Sequence, residues 1–406
     1  MQNQSPNYKY LTSLELDKIL SELSDCAITS PAKEMALNLI PYSKKEKIEK
    51  EINLTTEAKN ILDNNGINSM PVDFAIDPDK ILTNAIISVN NIVDLTKMLI
   101  SSRKLRTFLL NNKEAIQLNE KFIDNLFVDK ELEEKIASVF DQNYNIKDDA
   151  TVELLNLRTS LKAQIQNLKN TIDNLLKDST FTSYLQDTIV TERMGRTCFQ
   201  VKASDKSKVK GIVHDVSASN QTFFIEPEIL VNINNKIRTI ECKIEAEIEK
   251  IIAELSSEFH KIKNELKISY NSIKEADLIF AKAKYSIKTN STPAIITDKK
   301  IIKLHSMFHP LIRNKENLVK NDFELGENFK SLLITGSNTG GKTVTLKTVG
   351  LICLMAKLGM HCPSSYAEIY PFKNVYSDIE EHQDITQSLS TFSAHIKNIA
   401  HIIENV

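Results

Sequence analysis

The sequence predicts a mainly α protein with a C-terminal α/β part, and three observations carry that prediction. Apolar residues recur at helical spacing through most of the first 290 positions. Residues 189–227 break that rhythm with alternating and β-branched stretches. A glycine-bearing loop, residues 336–343, then stands between an apolar run and another helical pattern.

From Leu11 to about Lys130 the helical patterns are interrupted by Pro41, Gly66 and Pro71. The first is the clearest: Leu14, Leu16, Ile19, Leu20 and Leu23 form one stripe, which ends before Thr29-Ser30-Pro31. Residues 1–130 therefore read as a helical core domain. Two long near-heptad stripes follow. One runs through Leu161, Ile165, Leu168, Ile172 and Leu175, the other from Ile233 through Ile240, Ile248 and Leu255 to Ile262. Between them Cys198-Phe199-Gln200-Val201-Lys202 alternates and Thr222-Phe223-Phe224-Ile225 is β-rich. A helix out, a small β module at about 181–228 and a helix back make an economical domain over 131–290. The polar stretch Lys288 to Pro293 closes it. In 291–406, Ala294-Ile295-Ile296 and Lys300 to Leu304 read as short strands, and the apolar run Ser331 to Thr335 as the strand entering the loop. The helix after the loop ends near Gly359.

That loop carries the first functional expectation. Gly336-Ser337-Asn338-Thr339-Gly340-Gly341-Lys342-Thr343 completes the pattern G-x-x-x-x-G-K-[ST], and five of the nine glycines in 406 residues fall between 336 and 359. Gly336 and Gly341 permit a tight turn whose N–H groups point inward at a phosphate, at the positive end of the following helix. Lys342 then meets the β- and γ-phosphates and the Thr343 hydroxyl ligates Mg²⁺. The expected ligands are ATP and Mg²⁺.

Composition bounds the partners. Fifty-one basic residues against 53 acidic ones rule out a polycation, so any nucleic-acid contact comes from local patches. Lys202, Lys206, Lys208 and Lys210 form such a patch, read either as phosphate contacts or as a solvated loop. Cys26, Cys198, Cys242, Cys353 and Cys362 lack paired spacing, and Cys353 and Cys362 beside His361 read as packing residues. No apolar run approaches the length of a membrane span, and the expected compartment is the cytoplasm.

Several segments together resemble the MutS family of ATPases: His309-Pro310-Leu311-Ile312, Ser331 to Gly350, and Gln387 to His395 with its Ser390-Thr391-Phe392. The likeness is to the second bacterial branch, whose members usually end in a Smr nuclease domain. It rests on Val344 to Gly350, Ser393-Ala394-His395, Gly211-Ile212-Val213-His214-Asp215 and Ser217 to Thr222. The resemblance implies a clamp-shaped homodimer with a helical core, long antiparallel lever helices, a clamp module and an ABC-like P-loop ATPase domain. It implies that Ser390 and Thr391 reach the nucleotide held by the other subunit, although Ser or Thr before an apolar run is also an ordinary helix cap. It implies that Leu318 and Val319 pack against adenine. The implied partner is branched or distorted DNA, or the ribosome and its rRNA, with ATP selecting a closed clamp.

The resemblance implies that the family's Walker B acids and Smr domain come later than Val406, so that an incomplete ATPase domain is expected in these residues. Asp378, Glu380 and Glu381 read as solvated acids rather than replacements. The expectations are a fragment that hydrolyses ATP poorly alone, no endonuclease chemistry in these residues, and apolar surface left open on the helix at 344–358. Two other readings stand beside this one. One is a non-catalytic scaffold pairing with a full-length homologue. The other is a coiled-coil ABC-type ATPase of chromosome maintenance, whose loop ordinarily precedes its coiled coil.

Overall fold

The computed structural model describes residues 12–312, 318–337, 341–379, 396, 399–400 and 402–404. The chain is mainly helical with two small sheets. Its helices are α1 (Leu16–Cys26), α2 (Ser30–Leu37), α3 (Lys45–Asn65), α4 (Pro78–Ile81), α5 (Val89–Asn111), α6 (Ile116–Phe122), α7 (Lys130–Val139), α8 (Val152–Lys177), α9 (Ser179–Ser183), α10 (Glu228–Lys261), α11 (Lys263–Lys288) and α12 (Lys342–Lys357). The strands are β1 (Leu185–Arg193), β2 (Arg196–Lys202), β3 (Gly211–Val216), β4 (Thr222–Pro227), β5 (Ile295–Ile296), β6 (Ile302–Met307), β7 (Asn321–Leu325) and β8 (Tyr366–Ile369). No helix among the described residues is long and apolar enough to cross a membrane.

The chain divides into two compact units. The first draws on residues 1–81, 94–129 and 262–406, the second on 82–93 and 130–261.

In the first unit, α12 lies between two cores. Leu351, Leu354 and Leu358 pack with Leu16, Ile19 and Leu23 of α1 and with Ala281 and Tyr285 of α11. Val349, Ile352, Cys353 and Ala356 pack instead with Ile48 and Ile52 of α3 and with the sheet β5-β8-β6-β7. A helix covered on both sides has to be apolar nearly all round, and from Thr348 to Lys357 every residue of α12 except the half-buried Gly350 is buried. The expectation of open apolar surface along 344–358 is therefore corrected: it survives only at the first turns, where Val344 and Leu346 are exposed.

Capping fixes the turns around this core. The Asp277 carboxylate of α11, buried, accepts the backbone N–H groups of Ile28 and Thr29 and the Thr29 hydroxyl, satisfying donors at the start of α2. At the other end of α12 the N–H of Met360 reaches Met355 O and that of Gly359 reaches Ala356 O, a Schellman closure with Gly359 at φ 70°.

The apolar run Ser331 to Thr335 forms no strand, another correction. Leu332 and Leu333 are 47% and 85% exposed, and among the described residues no strand lies alongside to pair with the run. An apolar stretch becomes a strand only where a neighbour takes its backbone hydrogen bonds.

In the second unit α8 and α10 pack together, and an antiparallel sheet of order β1-β2-β4-β3 sits at one end of the pair. Phe199, Val201 and Ile225 of the sheet share a core with Leu230 and Ile233 of α10. Along the helix pair the heptad residues are only partly covered: Leu161, Leu168, Ile172 and Leu175 are half-buried and Ile165 is exposed. Two helices alone shield one side of a seam. β1 and β2 are joined through Met194 (φ 49°) and Gly195 (φ 71°), two consecutive positive-φ residues as a type I′ hairpin turn requires.

Candidate functional site

Gly341, Lys342 and Thr343 form the N-terminus of α12, where a helix leaves N–H groups without intrahelical partners. Gly336 has φ 140° and Gly341, the N-cap, has φ 77°. A Cβ at either position would meet nothing within 4 Å, so the backbone angle and not crowding demands glycine there. The Lys342 ammonium folds back to donate to the carbonyl of Gly336. Thr343 is exposed on the first turn of α12. Thr345 and Thr348 turn their hydroxyls back to the carbonyls of Gly341 and Val344, so neither competes for a ligand. Asn338, Thr339 and Gly340 lie outside the described residues, as do Ser390, Thr391, Glu380 and Glu381. Asp378 is exposed, as expected of a solvated acid.

Beside Thr343 opens a cavity of about 690 Å³ whose walls include Glu15, Lys18, His309, Leu311 and Lys347. Glu15, held at φ 60°, gathers basic side chains: Lys18 Nζ at 2.8 Å, His309 Nε2 at 3.4 Å and Lys347 Nζ at 3.8 Å. The hydrogen bond from Lys18, reinforced by Lys347 and His309, holds the Glu15 carboxyl below its ordinary pKa in spite of partial burial. Burial lowers His309, against the pull of Glu15. Sequence reasoning gave Glu15 no role here, because nothing local signals that a residue more than 300 positions upstream walls this cavity.

A second cavity, about 510 Å³, is walled by Phe308, Pro310, Ile312 and Leu318, with Lys288 and Lys320 at its polar side. The two cavities share Ile312 and Glu22. Leu318 thus lines an apolar recess adjoining the one at Thr343, whereas Val319 is 74% exposed and lines neither.

In the second unit the four predicted lysines do not form one uniform patch. Lys202 donates to Ser183 O at 3.0 Å, Lys208 pairs with Asp205 at 2.8 Å, and Lys206 lies 4.4 Å over the Phe223 ring. Lys206, Lys208 and Lys210 are exposed. The module also contains a buried carboxylate that the sequence did not suggest. Glu226 accepts from His214 Nε2 at 2.7 Å, Asn234 Nδ2 at 2.6 Å and Arg196 at 3.4 Å, tying β4 to β3, α10 and β2. Cys198, Cys353 and Cys362 are buried, and burial raises all three thiols, Cys198 to about 11 and Cys353 to about 12. They are packing residues in their thiol form. Among the described residues no cluster of His, Cys, Asp and Glu is arranged to hold a metal.

A family profile described as MutS domain V matches residues 332–406. Over 405 residues the chain is 39% identical to a protein named Endonuclease MutS2 from Clostridium perfringens (strain 13 / Type A), covering 98% of this chain and 51% of that one. It is 35% identical over 406 residues to a Putative endonuclease MutS2 from Bacillus subtilis (strain 168), again 98% of this chain and 51% of the relative. A third, Endonuclease MutS2 from Alkaliphilus oremlandii, is 33% identical over 407 residues. The chain spans about half the length of the curated relatives it matches.

Proposed function

This chain belongs to the MutS family, in its MutS2 branch, and from that premise we propose that it binds MgATP at residues 336–343 and engages nucleic acid through its second unit. The observation that carries the nucleotide reading is the paired left-handed backbone at Gly336 and Gly341 with Lys342 folded between them at a helix N-terminus. An incoming phosphate replaces the Gly336 carbonyl as the partner of Lys342 and takes the inward N–H groups, an exchange of a neutral acceptor for a charged one. The exposed Thr343 hydroxyl fits a Mg²⁺ ligand, and the ion supplies charge neutralisation at the β- and γ-phosphates. The apolar recess at Leu318 adjoining the Thr343 cavity favours Leu318 over Val319 as the residue against the adenine ring.

The wider reading follows the family. Two copies close on nucleotide, Ser390 and Thr391 of one reaching the phosphates held by the other, and the paired helices α8 and α10 act as levers to the β module. That module meets branched DNA or the rRNA of a ribosome, and nucleotide state decides between open and closed clamps. The cutting chemistry named in the relatives is assigned to the part of them outside the aligned half.

Titration with a fluorescent ATP analogue in Mg²⁺ tests the nucleotide reading directly. Lys342→Ala is expected to weaken binding at least tenfold while helix content stays constant. Equal affinity in the two proteins would overturn it. Separation of the chain by mass with and without ATP tests the pairing of copies.

A further inference from the structure

Two shallow depressions on the second unit, of about 540 and 500 Å³, adjoin along α10 and share Asn235 and Thr239. Their walls carry four cations, Arg196, Lys236, Arg238 and Lys243, and no carboxylate. In a chain of net charge −2 such a segregation is unusual, and none of the four belongs to the lysine cluster at 202–210. We infer that this furrow is a track for a phosphodiester backbone, a nucleic-acid contact separate from those lysines. The inference rests on reading the second unit as a nucleic-acid binder.

Spacing supports the track. Residues 235, 238, 239, 242 and 246 follow i, i+3, i+4, i+7 and i+11, and so lie on one helical face, where all are exposed. Lys236 and Lys243 are seven residues apart, about 10 Å along the helix axis. That distance matches about three phosphate steps of one strand at ~3.4 Å each. Among the described residues neither lysine forms an ion pair with a carboxylate, whereas the neighbouring Arg238 and Lys250 on the same helix do. Arg196 and Arg238 are oriented by Glu226 and Glu241, each at 3.4 Å, which fixes the guanidinium groups at the edge of the furrow.

The remaining polar wall, Ser160, Asn232, Asn235 and Thr239, offers hydroxyls and carboxamides, the neutral groups that position a phosphate backbone. An acidic protein partner is disfavoured because the furrow lacks the aromatic or deep apolar anchor on which protein interfaces depend.

The test uses the whole chain and fluorescein-labelled 20-base-pair duplexes, one DNA and one RNA of the same sequence, titrated between about 50 and 200 mM salt. The triple variant Lys236→Gln, Arg238→Gln, Lys243→Gln is expected to bind at least tenfold more weakly than the parent at the low end. Its plot of log affinity against log salt is expected to be shallower by about 2 to 3, near 0.9 per lost phosphate contact. Loss on one duplex alone identifies the sugar that the furrow accepts. If the parent binds and the triple variant keeps its affinity and slope, the track is wrong and the wider reading stands. If the parent binds neither duplex, the wider reading fails with it. Poly-L-glutamate competing as well as an equal charge of duplex would also overturn the track, leaving a site for acidic protein. All substituted residues are exposed, and an unchanged circular dichroism spectrum excludes misfolding.

Discussion

The ammonium of Lys282 lies 3.5 Å from Oε2 of Glu51, with both side chains sealed inside the first unit. Lys47 reaches the same carboxylate at 2.7 Å and Lys121 at 3.9 Å, each from a more exposed position. Burial pushes the Lys282 ammonium down to about 8 even with Glu51 beside it. Burial also pushes the Glu51 carboxyl up, but Lys282, Lys47 and Lys121 together outweigh it and hold its pKa low. The two partners are therefore not equivalent. Glu51→Gln strands a buried ammonium and is expected to cost about 3–5 kcal/mol. Lys282→Met leaves Glu51 with two cations and is expected to cost less than half of that. Urea unfolding of the two single variants checks the order.

His361 is locked between α3 and α11. Its Nδ1 lies 2.8 Å from the Ser286 hydroxyl and its Nε2 3.0 Å from that of Thr56. Burial, aided by Lys59, lowers its pKa from 6.5 to about 4. The folded state therefore holds the ring neutral while the unfolded chain protonates it, so this contribution is complete above pH 6.5 and is lost as pH falls toward 4. Between pH 7.5 and 5 the parent is expected to lose about 2 kcal/mol from this group. His361→Asn should remove that part of the pH dependence, measured as the urea midpoint at both pH values.

Gly359 and Gly195 have almost the same backbone, φ 70° and 71°, in different surroundings. A Cβ at Gly359 would stand 2.4 Å from Cβ of Glu51, whereas one at Gly195 would meet nothing within 4 Å. Gly195→Ala is expected to cost about 1–2 kcal/mol, the penalty of the left-handed angle. Gly359→Ala is expected to exceed it by a further 1 kcal/mol or more, about the low end of overpacking costs. Equal costs in denaturant titration would refute the crowding argument.

Glu226 serves three donors from three elements of the second unit. Glu226→Ala leaves all of them without their acceptor and is expected to destabilise that unit by about 3–5 kcal/mol. Glu226→Gln keeps one carbonyl oxygen and is expected to recover part of the loss. Limited proteolysis between residues 185 and 227 reads the effect directly.

What the sequence revealed, and what it hid, follows from the range of the interactions. The positive backbone angles at Gly336 and Gly341 and the bounds of α12 were legible because glycine angles and helix closure are local matters. The β module was legible through the alternation in β2 and the β-rich run in β4. The run 331–335 was misread as a strand because its apolar character is local while strand pairing is not. Lys282 reads in the sequence as one more polar position on a helix; only the arrival of Glu51, 231 residues away, makes it a core residue. The furrow on α10 was hidden for a related reason: Arg196 comes from β2, some 40 residues before Lys236, Arg238 and Lys243, and only the fold brings it to the same furrow.

The position of α12 between two cores also sets how that helix breathes. From Thr348 to Lys357 its amides open only with the packing on both sides, and Lys357 is further pinned to the carbonyls of Phe372 and Lys373. The first turn, with Thr343, Val344 and Leu346 exposed, has no such clamp. Hydrogen exchange along this one helix should therefore fall steeply from its start to its end, and a ligand at Gly341 should slow the early amides alone, leaving the late ones at the rate of global unfolding.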